Sequence, residues 1–271
     1  MMKILFCGDI VGRSGRQSAL INIPKLKQEH NLDFIIANVD NASGGFGVNE
    51  NNSKDFIEIG VDVLTGGDHI WDKKEMLNYI TREKRILRPL NFPKSSPGTG
   101  ARIFTSLNNK KVLVIHLLGQ VFIKNNLNCP FESIDNILKN YKLGVDVDAI
   151  FVDFHAEASS EKMAMGKFLD GKISAVIGSH THIPTNDHHI MSEGTAYQTD
   201  AGMCGDYDSI IGMQTDVPLK SFLSKRRVGK MVPAKKEATF CGSIIEIHDS
   251  GLAKNINIVK IGGVLDRNSL T

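Results

Sequence analysis

No apolar run in this chain approaches the ~20 residues a membrane-spanning helix needs, so no membrane segment is expected. The start, Met1 through Phe6 and on to Asp9, has no signal-peptide core, which points to a cytoplasmic protein. Cys7, Cys129, Cys204 and Cys241 form no CxxC pair. Their scatter argues against a disulfide framework and suits reduced thiols. A formal charge of +2 offers no bulk attraction for nucleic acid or membrane. No GxGxxG follows a strand, so a dinucleotide fingerprint is not supported. Neither an internal repeat nor a disordered linker breaks the chain. What remains is an ordinary globular composition, 41% hydrophobic and 23% charged, able to bury a core of real size. The 271 residues suffice for one large domain or two small ones.

Strand and helix patterns alternate through the first ninety residues with a period of about thirty. Strands are expected at 3–8, 33–39 and 61–65, and helices at 15–30, 50–59 and 73–81. This βαβαβα order implies parallel strands with right-handed crossovers. Residues 88–100 hold three prolines and two glycines and read as a loop. Strands at 101–105 and 112–116 flank Asn108-Asn109, a hairpin signal. Further strands are expected at 149–154 and 175–179, preceded by helices at 132–141 and 160–169. Strands at 195–199, 239–247 and 257–261 close the chain. Parallel strands first and antiparallel strands last imply two packed sheets with helices outside. Residues 124–142 could form a small cap.

Five of these runs end on a residue that can hold a metal. They lead to Asp9, Asp40, Asp68, His155 and His180, and His182 follows two residues later. Parallel strands share one carboxyl edge, and ligands bind there. So many acids and imidazoles on one edge call for a cation site, with two metals the simplest reading. Each residue also has a plainer reading. Asp9 could cap a helix, and Asp40-Asn41 could open an Asx turn. Gly44, Gly45 and Gly47 are favoured as a turn. H-x-H alone is a weak signal, although it places two rings on one side of an extended segment. His69, one step past Asp68, would face the substrate and suits protonation of a leaving oxygen.

Other residues carry less. Asp72 reads as an N-cap, and Glu157 and Glu161 as first-turn acids matching a helix dipole. His116 is expected in the core, and His30 and His248 on the surface. Arg13 and Arg16 lie near enough in sequence to Asp9 to meet a phosphate. Residues 220–236 hold seven Lys or Arg and no acid; a solvated helix and loop is the leading reading, an RNA-facing patch the minor one.

The ordered set Gly8-Asp9, Asp40-Asn41, Gly67-Asp68-His69, Asp153-Phe154-His155 and Gly178-Ser179-His180-Thr181-His182 resembles the calcineurin-like metallophosphoesterase superfamily. More narrowly it resembles the bacterial YmdB-like phosphodiesterases, with support from GDIVGRSGR, HIWDKKE and DGKISAVIGSHTHIPTND. The match spans most of residues 3–213. The resemblance implies a single catalytic domain over 1–271, an α/β four-layer α/β/β/α sandwich of two mixed sheets flanked by helices. It implies two divalent metal ions, iron or manganese first and zinc or cobalt next. Asp9 and His182 would hold one ion, Asp68, His155 and His180 the other, with Asp40 bridging. Asn41 would contact substrate and His69 would be the general acid. Asp68 stands where the superfamily usually has Asn, Asp40 where the YmdB-like group usually has Glu, and Val11 where the superfamily has a histidine.

The activity so implied is hydrolysis of phosphodiesters such as 2′,3′-cyclic NMPs. The expected mechanism is attack by a hydroxide bridging two ions ~3.5–4 Å apart. Two other readings stand beside it: a metal hydrolase for amides or carboxylic esters, and a metal-dependent nucleotide sensor with little turnover. The expected partner is a small phosphoester or cyclic nucleotide. RNA is the weaker option, and a homo-oligomer stays open.

Overall fold

The strand-helix alternation of the first ninety residues builds half of the molecule, and a second alternation from 101 onward builds the other. The computed structural model describes residues 1–123 and 126–266. The first half contains β1 (Met2–Cys7), β2 (Asp9–Ile10), α1 (Gly12–His30), β3 (Phe34–Asn38), α2 (Glu50–Glu58), β4 (Val63–Thr65), α3 (Met76–Arg82) and β5 (Ile86–Leu87). The second contains β6 (Ala101–Thr105), β7 (Lys111–Leu118), α4 (Pro130–Leu138), β8 (Ala149–His155), α5 (Ser159–Leu169), β9 (Ala175–Ser179), β10 (His189–Ile190), β11 (Ala196–Gln198) and β12 (Met203–Cys204). The chain then runs through α6 (Asp216–Ser224), β13 (Phe240–Ile247), β14 (Ala253–Ile261) and α7 (Gly263–Asp266).

Two mixed sheets result. The first has the order β14-β13-β1-β3-β4-β5. β1, β3, β4 and β5 run parallel, and the β13–β14 hairpin returns antiparallel against β1, with Leu5 opposite Ile244. The second has the order β10-β11-β9-β8-β7-β6. Its centre, β11, β9, β8 and β7, is parallel. β6 joins β7 through the expected hairpin, where Asn109 takes a positive φ of 59°.

Apolar residues on both faces explain why the strands read as continuous runs rather than as alternations. Along β1, Ile4 and Phe6 face the second sheet while Leu5 and Cys7 face the outer helices. Phe34, Val63, Val112, Phe151 and Ile177 continue the inter-sheet core. One outer core holds Ala19 and Ile23 of α1, Phe56 of α2 and Ile80 of α3. The other holds Ile134 of α4 and Met165 of α5. The architecture is therefore the expected α/β/β/α sandwich.

Several details differ from the reading of the sequence. β2, β5, β10 and β12 are two-residue pairings with no periodicity to detect. α3 starts at Met76, not at 73, because Asp72 is engaged with His69. Of the segment 124–142, residues 124 and 125 lie outside the described residues; α4 is a helix of the outer layer.

Phe151 and Phe6 meet across the two sheets with ring centroids 5.3 Å apart, and both are fully buried. Phe151→Ala should cost ~3–5 kcal/mol of unfolding free energy, because the cavity lies between two sheets that cannot easily collapse. Urea unfolding measures it. A loss under ~1 kcal/mol would show that the sheets are not locked by this contact.

Candidate metal centre

All five strand ends arrive at one place. Asp9 follows β1, Asp40 follows β3 and Asp68 follows β4 in the first sheet. His155 ends β8, and His180 and His182 follow β9 in the second. His155 Nε2 lies 3.5 Å from Asp40 Oδ2 and 3.5 Å from Asp68 Oδ1. It lies 3.0 Å from His180 Nδ1. Asp9 Oδ1 lies 3.6 Å from His155 Nδ1 and 4.0 Å from His182 Nε2. Close approach is built into the backbone: a Cβ on Gly67 would overlap the His155 ring.

The polar neighbours of each ring assign its proton. Ser179 Oγ donates to Asp153 Oδ1 at 2.6 Å, so it accepts from His155 Nδ1–H at 2.9 Å. His155 Nε2 is thereby left as a lone pair. His180 Nε2 lies 3.2 Å from Glu157 Oε2, which places its proton there and leaves Nδ1 as a lone pair. Two nitrogen lone pairs thus face each other at 3.0 Å beside two carboxylates. His182 repeats the pattern: Nδ1–H donates to the Ile211 carbonyl at 2.8 Å, leaving Nε2 free. That nitrogen sits 3.1 Å from Asn41 Oδ1, whose amide group donates to the Gly45 carbonyl.

The carboxylates are equally unsatisfied. Asp9 Oδ1, Asp40 Oδ2 and Asp68 Oδ1 are buried without any hydrogen-bond partner. Burial, with Asp200 next, holds the Asp9 carboxyl well above the usual range. Burial, then the charges of Asp68 and Asp9, does the same to Asp40. Burial also opposes ionisation of Asp68, but the neighbouring imidazoles of His155, His69 and His180 prevail and leave it below the usual range. Burial foremost drives His155 down to about 3, and His180 and His182 are lowered for the same reason. Neutral imidazoles and unpaired carboxylate oxygens are what a divalent cation requires. Asp68, His155 and His180 bring ligand atoms within 4.8 Å of one another, as do Asp40, Asp68 and His69, and Asp9 stands 4.0 Å from His182 beside them. The residues present therefore fit metal ions.

The H-x-H loop is held against its own backbone preference. His180 and His182 have φ of 97° and 67°, a region that costs side-chain-bearing residues of order 1–3 kcal/mol. Lys162 Nζ, buried on α5, donates to the Ser179 carbonyl and to Asp200 Oδ2, both at 2.7 Å. Asp200 Oδ2 also accepts from Thr181 N and Thr181 Oγ1. His180 N donates to Asp9 Oδ2, and Tyr207 OH donates to the His182 carbonyl.

A buried polar network supports the site from below. Asp153 accepts from Ser179, from Thr65 Oγ1 at 2.6 Å and from Asn38 Nδ2 at 3.0 Å, and His116 Nδ1 lies 3.1 Å away. Burial works against its charge, but the contact with His116 outweighs it and the carboxyl falls to about 2. Asn38 Oδ1 in turn accepts from Asp40 N. Asn38 and Asp153 stand two residues before Asp40 and His155, so they share the ligands' face of their strands. That spacing was a usable signal. Ser179, Lys162 and Asp200 had none.

His69 sits at the rim. Its Nδ1 lies 2.9 Å from Asp72 Oδ2 and its backbone N–H donates to Asp40 Oδ1. Its Nε2 lies 3.8 Å from Asp68 Oδ2. Asp72 is thus a partner of His69 rather than a helix cap. Glu157 is likewise a partner of His180, outside α5. Glu161 is in the first turn of α5 and accepts from Gln120 N and Val121 N. Arg16 donates to the Ala42 carbonyl in the loop after Asp40-Asn41, and Arg13 is exposed. Gly44, Gly45 and Gly47 form the favoured turn, and a Cβ on Gly47 would press on the His69 carbonyl.

Burial raises the Asp9 and Asp40 carboxyls, so protons compete with a cation for them. Loading Mn²⁺ should release protons, and affinity should fall as pH is lowered, because protonation of the raised carboxyls competes. Calorimetry in buffers of different ionisation enthalpy reads this; uptake with no proton release would contradict it. Ser179→Ala removes the acceptor that holds the His155 proton on Nδ1. It should weaken metal binding ~10–100-fold with the fold retained, measured by competition with a chromogenic chelator.

The YmdB-like protein family profile matches residues 5–259. The 2′,3′-cyclic-nucleotide 2′-phosphodiesterase of Bacillus subtilis (strain 168) is 41% identical over 248 residues, 92% of each chain. Among solved structures, a hypothetical protein from Thermus thermophilus superposes with TM-score 0.90 at 34% identity, covering 97% of this chain and 100% of that one. A phosphatase from Mycoplasma pneumoniae superposes with TM-score 0.89 at 30% identity, covering 96% and 93%. With the profile match over nearly the whole chain and 41% identity to the Bacillus subtilis relative, the protein belongs to the YmdB-like family.

Proposed function

We propose that this chain is a metal-dependent phosphodiesterase acting on small cyclic nucleotides of the 2′,3′ type, with its four layers working as one catalytic unit. The observation that carries it is the pair of lone-pair imidazoles, His155 and His180, facing each other among partnerless carboxylate oxygens. The activity in the name of the Bacillus subtilis relative supports the same reading. Two divalent ions supply an activated water and a clamp on the phosphate oxygens when bound. Mixed nitrogen and oxygen ligands without thiolate suit iron or manganese, with zinc or cobalt next.

The residues divide the remaining work. Asp9 and His182 hold one position, Asp68, His155 and His180 the other, and Asp40 lies between with one oxygen anchored by His69 N–H. Asn41 orients the phosphate from the His182 side. His69 is the proton donor. Asp72 holds its Nδ1, which turns Nε2 toward the place where the leaving oxygen departs. The side chain is half-buried, so it can exchange protons with solvent.

At full metal occupancy, His69→Ala should lower kcat on 2′,3′-cyclic AMP by ~10²–10⁴-fold and on bis-p-nitrophenyl phosphate much less, because nitrophenolate leaves unaided. An unchanged rate on the poor leaving group would remove His69 from the acid role. For the reaction itself, Mn²⁺-loaded protein should hydrolyse both substrates and the chelated protein neither. Tight binding of the cyclic nucleotide without product would instead favour the sensor reading.

A further inference from the structure

Beside His69 the surface opens into a groove that the chemistry just described does not use. It encloses about 520 Å³ and is walled by Phe46, Pro218, Phe222 and Met231, with Arg226 and Arg227 along one side. Among the described residues, no acidic side chain lines it. Phe46 is the wall shared with the site. Its ring stands edge-on to the His69 ring, centroids 5.1 Å apart. The loop carrying Phe46 is tied to the ligand loop: Gly47 N donates to the Asp40 carbonyl, and Asn41 Nδ2 to the Gly45 carbonyl. Phe46 therefore cannot shift without moving Asp40 and Asn41. The opposite wall, Phe222 of α6, is 76% exposed, an unusual cost for a phenylalanine. A second groove of equal volume, near Asp135, Tyr141 and Lys172, shares no residue with the site.

Two aromatic rings, two guanidiniums and no carboxylate define an occupant that is flat, apolar-faced and joined to negative charge. Nucleobases stack on aromatic side chains for ~1–3 kcal/mol each and tolerate any base identity. Planar guanidiniums stack on bases and pair with phosphate. A second copy of the chain is the rival occupant, suggested by exposed Leu219, Phe222 and Leu223 on α6. In a two-fold contact the patch would face itself, setting Arg226 and Arg227 against like charge with no acid in the groove to offset them. Continuity with His69 through Phe46 also favours substrate over subunit.

We propose that this groove is a nucleobase subsite, which takes the base of the nucleotide whose phosphate lies under His69 and gives the enzyme its preference for nucleotidyl over simple phosphodiesters. The proposal rests on the phosphodiesterase reading and extends it to substrate selection.

The test compares 2′,3′-cyclic AMP with glycerol 1,2-cyclic phosphate, which presents the same five-membered cyclic ester without a base, on the Mn²⁺-loaded full chain. Phe222→Ala should lower kcat/KM for the nucleotide, relative to the base-free ester, by about 5- to 150-fold, which is ~1–3 kcal/mol at 1.4 kcal/mol per decade. Most of the change should be in KM. Phe222→Trp should restore the preference, and Arg226→Ala with Arg227→Ala should lower it. An unchanged ratio in Phe222→Ala would overturn the proposal. So would equal losses on both esters together with a change in oligomeric mass, which would assign the face to contacts between copies. Hydrolysis of neither ester by the wild type would sink the phosphodiesterase reading and the subsite with it. Hydrolysis of both with an unmoved ratio would sink the subsite alone.

Discussion

Electron pairs with nothing to neutralise them govern this structure. Three buried carboxylate oxygens and three imidazole nitrogens converge where the two sheets meet, and each nitrogen's proton is already committed elsewhere, to Ser179, Glu157 or Ile211. Such a cluster is unfavourable in a protein interior without positive charge. Lysine does not relieve it. The buried cation nearby, Lys162, is turned away to the Ser179 carbonyl and Asp200. The arrangement makes sense as a pre-formed seat for divalent ions, in which the folded chain bears the cost of ordering its ligands before the ions arrive.

The architecture around the seat changes character with distance from it. Between the sheets the contact is apolar, as at Phe6 and Phe151. At the metal edge it becomes polar: Asn38 and Thr65 of the first sheet both donate to Asp153 of the second. These bonds fix the spacing of the two sheets at the point where ligands from both must meet one ion. The left-handed backbone at His180 and His182 is the most strained part of the site. It persists because Lys162, Asp200, Asp9 and Tyr207 all hold it.

The convergence of these acids and imidazoles was legible in the sequence because each stands at the end of a β-type run, and topology alone then delivers them to one edge. The layers were legible because the runs are apolar on both faces. Asn38 and Asp153 sit at i−2 from ligands and could have been read from strand periodicity. Lys162 and Asp200 could not, because a lysine in a helix and an aspartate in a loop look solvated until the fold brings them together. Asp72 and Glu157 were assigned to helix ends on local propensity, and a local contact with His69 and a tertiary one with His180 prevailed. The groove beside His69 was hidden for the same reason. Phe46 and Phe222 are 176 residues apart, and nothing local to the basic run 220–236 places its Phe222 opposite Phe46.

The central claim is that the converging lone pairs hold ions, and anomalous diffraction from crystals grown in saturating Mn²⁺ tests it most directly. The account predicts one peak bounded by Asp68, His155 and His180, a second beside Asp9 and His182, and Asp40 touching both. A map without a peak between His155 Nε2 and His180 Nδ1 would contradict it.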